Sequence, residues 1–104
     1  MFPMIVKLAG VSHGACQQNI KDLGGPGIGN YQLIREPDNP HDSNAIKVVL
    51  FGHFDLGYIP APIAAQIAPV MDDGTQLEAE FVSVNKHPAH EQVGITVRII
   101  ETTN

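Results

Sequence analysis

Residues 35–48 read Arg-Glu-Pro-Asp-Asn-Pro-His-Asp-Ser-Asn-Ala-Ile-Lys-Val. Two prolines within four residues fix φ and remove backbone donors, so neither a helix nor a central strand can run through positions 37–40. Asp38, Asn39, Asp42 and Asn44 are the residue types whose short side chains bond the amides of their own turn. The stretch therefore predicts a strand that ends, a stiff polar loop over Glu36–Asn44, and a new strand. Tyr31–Arg35 lies on one side and Ala45–Phe51 on the other, both rich in the β-branched and aromatic residues that suit a pleated surface. Gly52-His53 then gives a turn, and Asp55–Ile59 a further short strand.

Working outward, the pattern stays mostly period two. Across Met4–Val11 the residues Met4, Val6 and Leu8 share one strand face and Ile5, Lys7 and Ala9 the other. Leu77–Val84 and Gln92–Thr102 are the last two predicted strands, the second with Val93, Ile95, Val97 and Ile99 alternating with Gly94, Thr96 and Arg98. The polar stretch Asn85–Glu91 between them reads as a loop. Two segments carry helical spacing instead. Cys16, Ile20 and Leu23 fall at i, i+4 and i+7 with Gly24 placed to stop the helix, and Gly24-Gly25-Pro26-Gly27 forces a loop. Pro60 and Pro62 mark a helix entry, after which Ile63, Ile67 and Val70 form an apolar stripe. Pro69 is expected to kink or tighten its last turn, and Asp72-Asp73-Gly74 to end it. Six short strands with two helical insertions predict a mainly β domain, a small, closed or partly closed barrel with a helix plugging one end.

The chain has 104 residues, one domain's worth, with 43% hydrophobic and 16% charged residues. No repeat, charge block or linker divides it, so residues 1–104 are read as a single domain. Eleven acids against six bases leave a net charge of −5, which argues against bulk phosphate binding by a basic surface. The N-terminal apolar run is interrupted by Lys7 and no stretch has 18 consecutive apolar residues, so a soluble, cytoplasmic, non-membrane protein is expected. Cys16 is the single cysteine and has no disulfide partner in the chain.

The residues REPDNPHDSNAIKV, followed by the Leu56–Pro60 run LGYIP and a helix ending Asp72-Asp73-Gly74, resemble the HIRAN domain family. The likeness extends over most of the chain, through the AGVS of 9–12, the QQNIKDL of 17–23 and the LEAEFVSV of 77–84. It implies an OB-like six-stranded β-barrel. HIRAN domains occur in DNA-remodelling ATPases, where they recognise the 3′ end of single-stranded DNA, and as stand-alone prokaryotic proteins, the kind this chain is similar to. By position in the motif, Asn39, His41, Asp42 and Asn44 are implied to meet the terminal nucleotide. A carboxylate such as Asp42 suits that task because it accepts a hydrogen bond from a sugar hydroxyl and repels a phosphate. Tyr58 and His13 add rings on which a base can stack. DNA-binding members carry an arginine and two aromatics where this chain has Ser12, His13 and Gly14, and a lysine where it has Pro60-Ala61.

Other chemistry is poorly served. His13-x-x-Cys16 and His87-x-x-His90 are the tempting metal pairs, but zinc needs four converging ligands, so no metal and no cofactor is assigned. Cys16 reads as a small core residue of its helical stripe rather than a nucleophile. The glycines of 24–29 lack the Gly-Lys-Ser/Thr of a phosphate loop, and no catalytic set emerges. The sequence thus supports a non-enzymatic binding module for nucleic-acid ends, with DNA repair or processing as its setting. The alternative is a protein-interaction module of the same fold, which the missing cations and rings favour; its partner would be a DNA-processing protein.

Overall fold

The alternating segments become one six-stranded antiparallel sheet in the computed structural model, which describes residues 1–102. The strands are β1 (Met4–Lys7), β2 (Tyr31–Arg35), β3 (Ile46–Leu50), β4 (Phe54–Tyr58), β5 (Leu77–His87) and β6 (His90–Glu101), with helices α1 (Cys16–Leu23) and α2 (Ala61–Asp72). Their order across the sheet is β1-β6-β5-β2-β3-β4. The sheet curls into a half-barrel with a mainly β, OB-like architecture, as expected. Positions 103 and 104 of the expected domain lie outside the described residues. Among the described residues no helix is long and apolar enough to cross a membrane.

The inward faces are those the alternation names. Val6 and Leu8 from the first segment, and Val93, Ile95, Val97 and Ile99 from β6, are all less than a tenth exposed. Each such side chain contributes about 1.5–3 kcal/mol on burial. Curling depends on irregularities in the ladders. Pairing shifts between Val48 and Val49 against β4, and between Phe81 and Ser83 against β6. Each shift leaves one residue of the bulged strand without a partner opposite, Leu56 in β4 and Val82 in β5. Such bulges bend and twist the strand that carries them.

The half-barrel closes at one point. After β1 the chain leaves the β6 ladder, and Ala9 forms an isolated bridge with Tyr58, the last residue of β4. Ala9 N–H donates to the Tyr58 carbonyl and Tyr58 N–H to the Ala9 carbonyl, both at 2.8 Å. The first strand therefore ends at Lys7 rather than running to Val11, and residues 9–13 form the seam and a turn. Gly57 makes this approach feasible: its φ is +153°, and a Cβ there would lie 2.8 Å from the Ala9 carbonyl oxygen. Helix α1 is fastened over the seam by two amides. Gln17 donates to the carbonyls of Val11 and Val93, both at 2.8 Å, and accepts from Val93 N–H, while Asn19 donates to the Asp55 carbonyl.

Two further expectations, the loop over 85–91 and the buried stripe of α2, need correction. Residues 85–91 are not a loop: β5 and β6 run on to His87 and His90 around a two-residue turn, Pro88-Ala89. Such a ribbon extends beyond the core, so its backbone pairs while most of its side chains meet water, and no apolar alternation marks it. Helix α2 carries Pro69 in its last turns and ends at Asp72, as expected; Pro69 and Ala65, whose carbonyl it leaves without a helical donor, are both on the exposed side. The buried stripe of α2 is Ala64, Ile67 and Ala68, with Ile63 and Met71 packed beside them, rather than Ile63, Ile67 and Val70. Gly24 ends α1 as expected, and what requires a glycine there is space rather than backbone freedom. Its φ is −76°, and a Cβ would meet the Ile20 carbonyl oxygen at 2.6 Å.

Candidate nucleic-acid interface

The polar loop between β2 and β3 is shaped by its own side chains. Asn39 Oδ1 accepts from the N–H groups of His41 (2.9 Å) and Asp42 (3.2 Å), and Asp42 Oδ1 accepts from Asn44 N–H (2.8 Å). Glu36 N–H and the Ala45 carbonyl close the loop base at 2.9 Å. Arg35 buttresses it from behind, donating to the Ala45 carbonyl and through two nitrogens to Asp72 at the end of α2. That ion pair offsets the unfavourable placement of a carboxylate at a helix C-terminus.

Beneath the loop, Glu36 is the hub. Its Oε1 accepts from Tyr58 Oη at 2.7 Å and Asn39 Nδ2 at 3.0 Å, and its Oε2 lies 3.6 Å from Lys47 Nζ. Burial alone would raise the Glu36 pKa, but the hydrogen bonds from Tyr58 and Asn39 and the Lys47 ammonium hold it below the ordinary carboxylate value. The same contact pushes the Tyr58 phenol up to about 12, burial first and the Glu36 bond second. Lys47 also sits 3.5 Å from Asp55. The tyrosine hydroxyl is thus tied beneath the loop, and its ring is held in one orientation.

Above this network lies an open pocket of about 490 Å³. One wall is the seam segment with Ala9, Gly10 and His13; the other is the loop with Asn39, His41, Asp42 and Ala45; Tyr58, Ile59 and Ala61 line it as well. Gly10 turns the seam segment between the His13 and Tyr58 rings. Its φ is +64°, and a Cβ there would touch both the His13 ring and the Tyr58 ring at 3.5 Å. Of the six residues singled out in the sequence, His13, Asn39, His41, Asp42 and Tyr58 line this one pocket. Asn44 does not; its backbone N–H serves to fix Asp42. Asn39 is largely consumed in holding the loop, whereas Asp42 keeps Oδ2 without a protein donor among the described residues. Glu36 escaped the sequence reading because its partners come from 3, 11 and 22 positions away along the chain.

The pocket can accept a hydroxyl at Asp42 and an apolar ring against Tyr58, and no lysine or arginine lines it among the described residues. Elsewhere, no three His, Cys, Asp or Glu side chains gather as a metal-ligand set among the described residues. Cys16 is buried at the start of α1, and desolvation, followed by the Asp55 charge, pushes its thiol pKa up, away from nucleophilic behaviour.

Comparison with known proteins agrees with this architecture. Residues 4–100 match the family model described as the HIRAN domain. Over 59 residues the chain is 39% identical to a Fanconi-associated nuclease 1 homolog of Arabidopsis thaliana, covering 56% of this chain and 7% of that protein. It is 49% identical over 41 residues to a helicase-like transcription factor of Mus musculus, covering 39% of this chain and 4% of that one. The chain therefore spans only a small fraction of these relatives. Among solved structures, a Lactobacillus plantarum protein matches with a TM-score of 0.69 at 25% identity, over 91% of this chain and 90% of the other. The HIRAN domain of human HLTF matches with a TM-score of 0.67 at 21% identity, over 94% and 73% respectively.

Proposed function

The chain belongs to the HIRAN domain family, and on that premise we propose that it binds the 3′ end of single-stranded nucleic acid without catalysing a reaction. The observation that carries this reading is the convergence of His13, Asn39, His41, Asp42 and Tyr58 on one pocket. Asp42 Oδ2 accepts a hydrogen bond from the terminal sugar hydroxyl. The Tyr58 ring and the small residues around it receive the base, and His13 and His41 flank the entrance. Asn39 and Asn44 act as positioning residues that hold Asp42. DNA repair or processing is the setting that the nuclease and helicase-like relatives suggest.

A 3′-phosphate would bring a second negative charge to Asp42. At about 4 Å the repulsion is about 1 kcal/mol in water and about 4 kcal/mol at the effective dielectric of a protein surface. Fluorescence anisotropy with short single-stranded DNA should therefore give at least about fivefold tighter binding for a 3′-hydroxyl than for a 3′-phosphate. A circular strand should not enter the pocket. Equal affinity for every kind of end, or no binding to any, removes the reading. The pocket's lack of lysine and arginine favours a second reading, an interaction module for a DNA-processing protein. Under that reading a partner is captured with equal efficiency in the presence and absence of DNA.

A further inference from the structure

The six cations of this chain are not spent alike. Arg35 pairs with Asp72, Lys47 with Glu36 and Asp55, and Arg98 with Glu80. The other three, Lys7, Lys21 and Lys86, are exposed, and no carboxylate among the described residues lies within ion-pair distance of them. They come from three different elements, β1, α1 and β5, yet they meet. Lys86 lines three adjoining surface depressions along the β5–β6 ribbon; Lys7 lines one of them and Lys21 the other two. His87 and His90 join the same rim, with ring centroids 4.9 Å apart. Of the eleven acids in the chain, Glu91 alone lines any of these depressions. The net charge of −5 therefore conceals a locally cationic face. Gly94 contributes to it: a Cβ there would press on Lys7 Cε at 3.3 Å, so its absence lets the lysine stem lie across β6.

This face adjoins the Asp42 pocket. One of the depressions, about 500 Å³, is bounded by Lys7, Val11 and Lys86, while Ala9, Gly10 and His13 line the pocket. The two concavities therefore lie along the same short seam segment. A chain end seated by Asp42 has a path over residues 10–13 into a groove of unpaired lysines. The charges that the terminal pocket lacks are found one step away.

We propose that the groove along the β5–β6 ribbon, lined by Lys7, Lys21 and Lys86, binds the phosphodiester backbone of a nucleic-acid strand, carrying the nucleotides on the 5′ side of the one seated at Asp42. The inference rests on the end-binding reading for its direction, but not for the existence of the site. Each phosphate neutralised on a single strand steepens the dependence of log K on log salt by about 0.7. Three lysines thus correspond to a slope of about −2.

The test uses the whole chain and its Lys7→Gln, Lys21→Gln, Lys86→Gln triple variant. All three side chains are exposed, and circular dichroism verifies that the fold is retained. Anisotropy is measured from low to moderate salt with a 3′-hydroxyl dinucleotide, a 3′-hydroxyl octanucleotide and a circular strand. The octanucleotide should bind the wild type with a slope steeper by about 2 than the variant, and the dinucleotide should bind both alike. If the octanucleotide shows equal affinity and slope in both proteins, the groove is not a backbone site, whatever the dinucleotide does. If the circular strand loses affinity in the triple variant while the dinucleotide binds neither protein, the groove stands and the end pocket falls. Inorganic polyphosphate competing no better than sodium chloride of equal ionic strength supports a nucleic-acid strand as occupant; polyphosphate displacing the octanucleotide at micromolar concentration overturns that assignment.

Discussion

Replacing Gly57 by alanine tests whether the half-barrel closes as described. The new Cβ would stand 2.8 Å from the Ala9 carbonyl oxygen, 3.2 Å from Val11 Cγ1 and 3.3 Å from Leu8 Cβ. None of these atoms can yield cheaply, since the carbonyl is backbone and already accepts the Tyr58 N–H at 2.8 Å. Holding an alanine at φ +153° costs about 1–3 kcal/mol, and forcing a methyl into a packed wall costs about as much again. If residues 8–11 retreat instead, the two hydrogen bonds of the bridge go with them, at about 0.5–1.5 kcal/mol each. Either route amounts to about 3–5 kcal/mol, a large part of the 5–15 kcal/mol that holds a typical domain together. A fall in Tm of about 15–30 °C should follow. Urea denaturation followed by far-ultraviolet circular dichroism measures the loss. Gly52→Ala is the control, because Gly52 has φ +77° but nothing within 4 Å of its Cβ, leaving only the backbone strain of about 1–2 kcal/mol. A Gly57→Ala variant no less stable than Gly52→Ala would refute the steric account of the seam.

The other expectations concern the loop and its hub. Asp42→Asn keeps an oxygen for Asn44 N–H but removes the charge. It should weaken 3′-hydroxyl DNA binding by about tenfold or more and bring the 3′-hydroxyl to 3′-phosphate ratio close to one in anisotropy titrations. Tyr58→Phe deletes the 2.7 Å bond to Glu36 and should cost about 1–2 kcal/mol in urea denaturation. Because the fold lowers the Glu36 pKa, its stabilising contribution is present above the unfolded value of 4.5 and is lost as pH falls through the lower folded value; Glu36→Gln should flatten that acid limb. Tyr58 runs the other way. Its folded pKa of about 12 exceeds the ordinary 10, so its contribution is complete below pH 10 and disappears as pH rises toward 12, which phenolate absorbance and urea midpoints together would follow.

What could be read from the residues was whatever is written locally. The alternation of Val93, Ile95, Val97 and Ile99 records one buried face of one strand, and the prolines and Asx residues of 36–44 record a loop that bonds to itself. Candidate residues far apart in the chain, His13 and Tyr58, came together because the motif supplied their context. Three kinds of feature stayed hidden. Glu36 looks like one more loop acid until Tyr58 and Lys47, both from later strands, are placed over it. The arms of the β5–β6 ribbon carry polar residues that pair through the backbone and through short contacts such as Asn85 Nδ2 to Thr96 Oγ1, so no apolar alternation reports them. Gly24 and Gly57 are required by carbonyl groups that approach them in space, which composition alone does not reveal.

The single bridge between Ala9 and Tyr58 also makes the pocket a part of the barrel's own closure. A molecule held between the seam wall and the Asp42 loop touches both sides of that joint, and it binds only while the joint is shut. Its binding free energy is then added to the opening of this one wall: about 2.7 kcal/mol when free ligand stands at a hundred times its Kd. The two bridge amides become a built-in gauge of occupancy. Their hydrogen exchange should slow about a hundredfold on saturation with a dinucleotide, which is too short to reach the lysine groove, while amides at the exposed tip of the β5–β6 ribbon keep their rates.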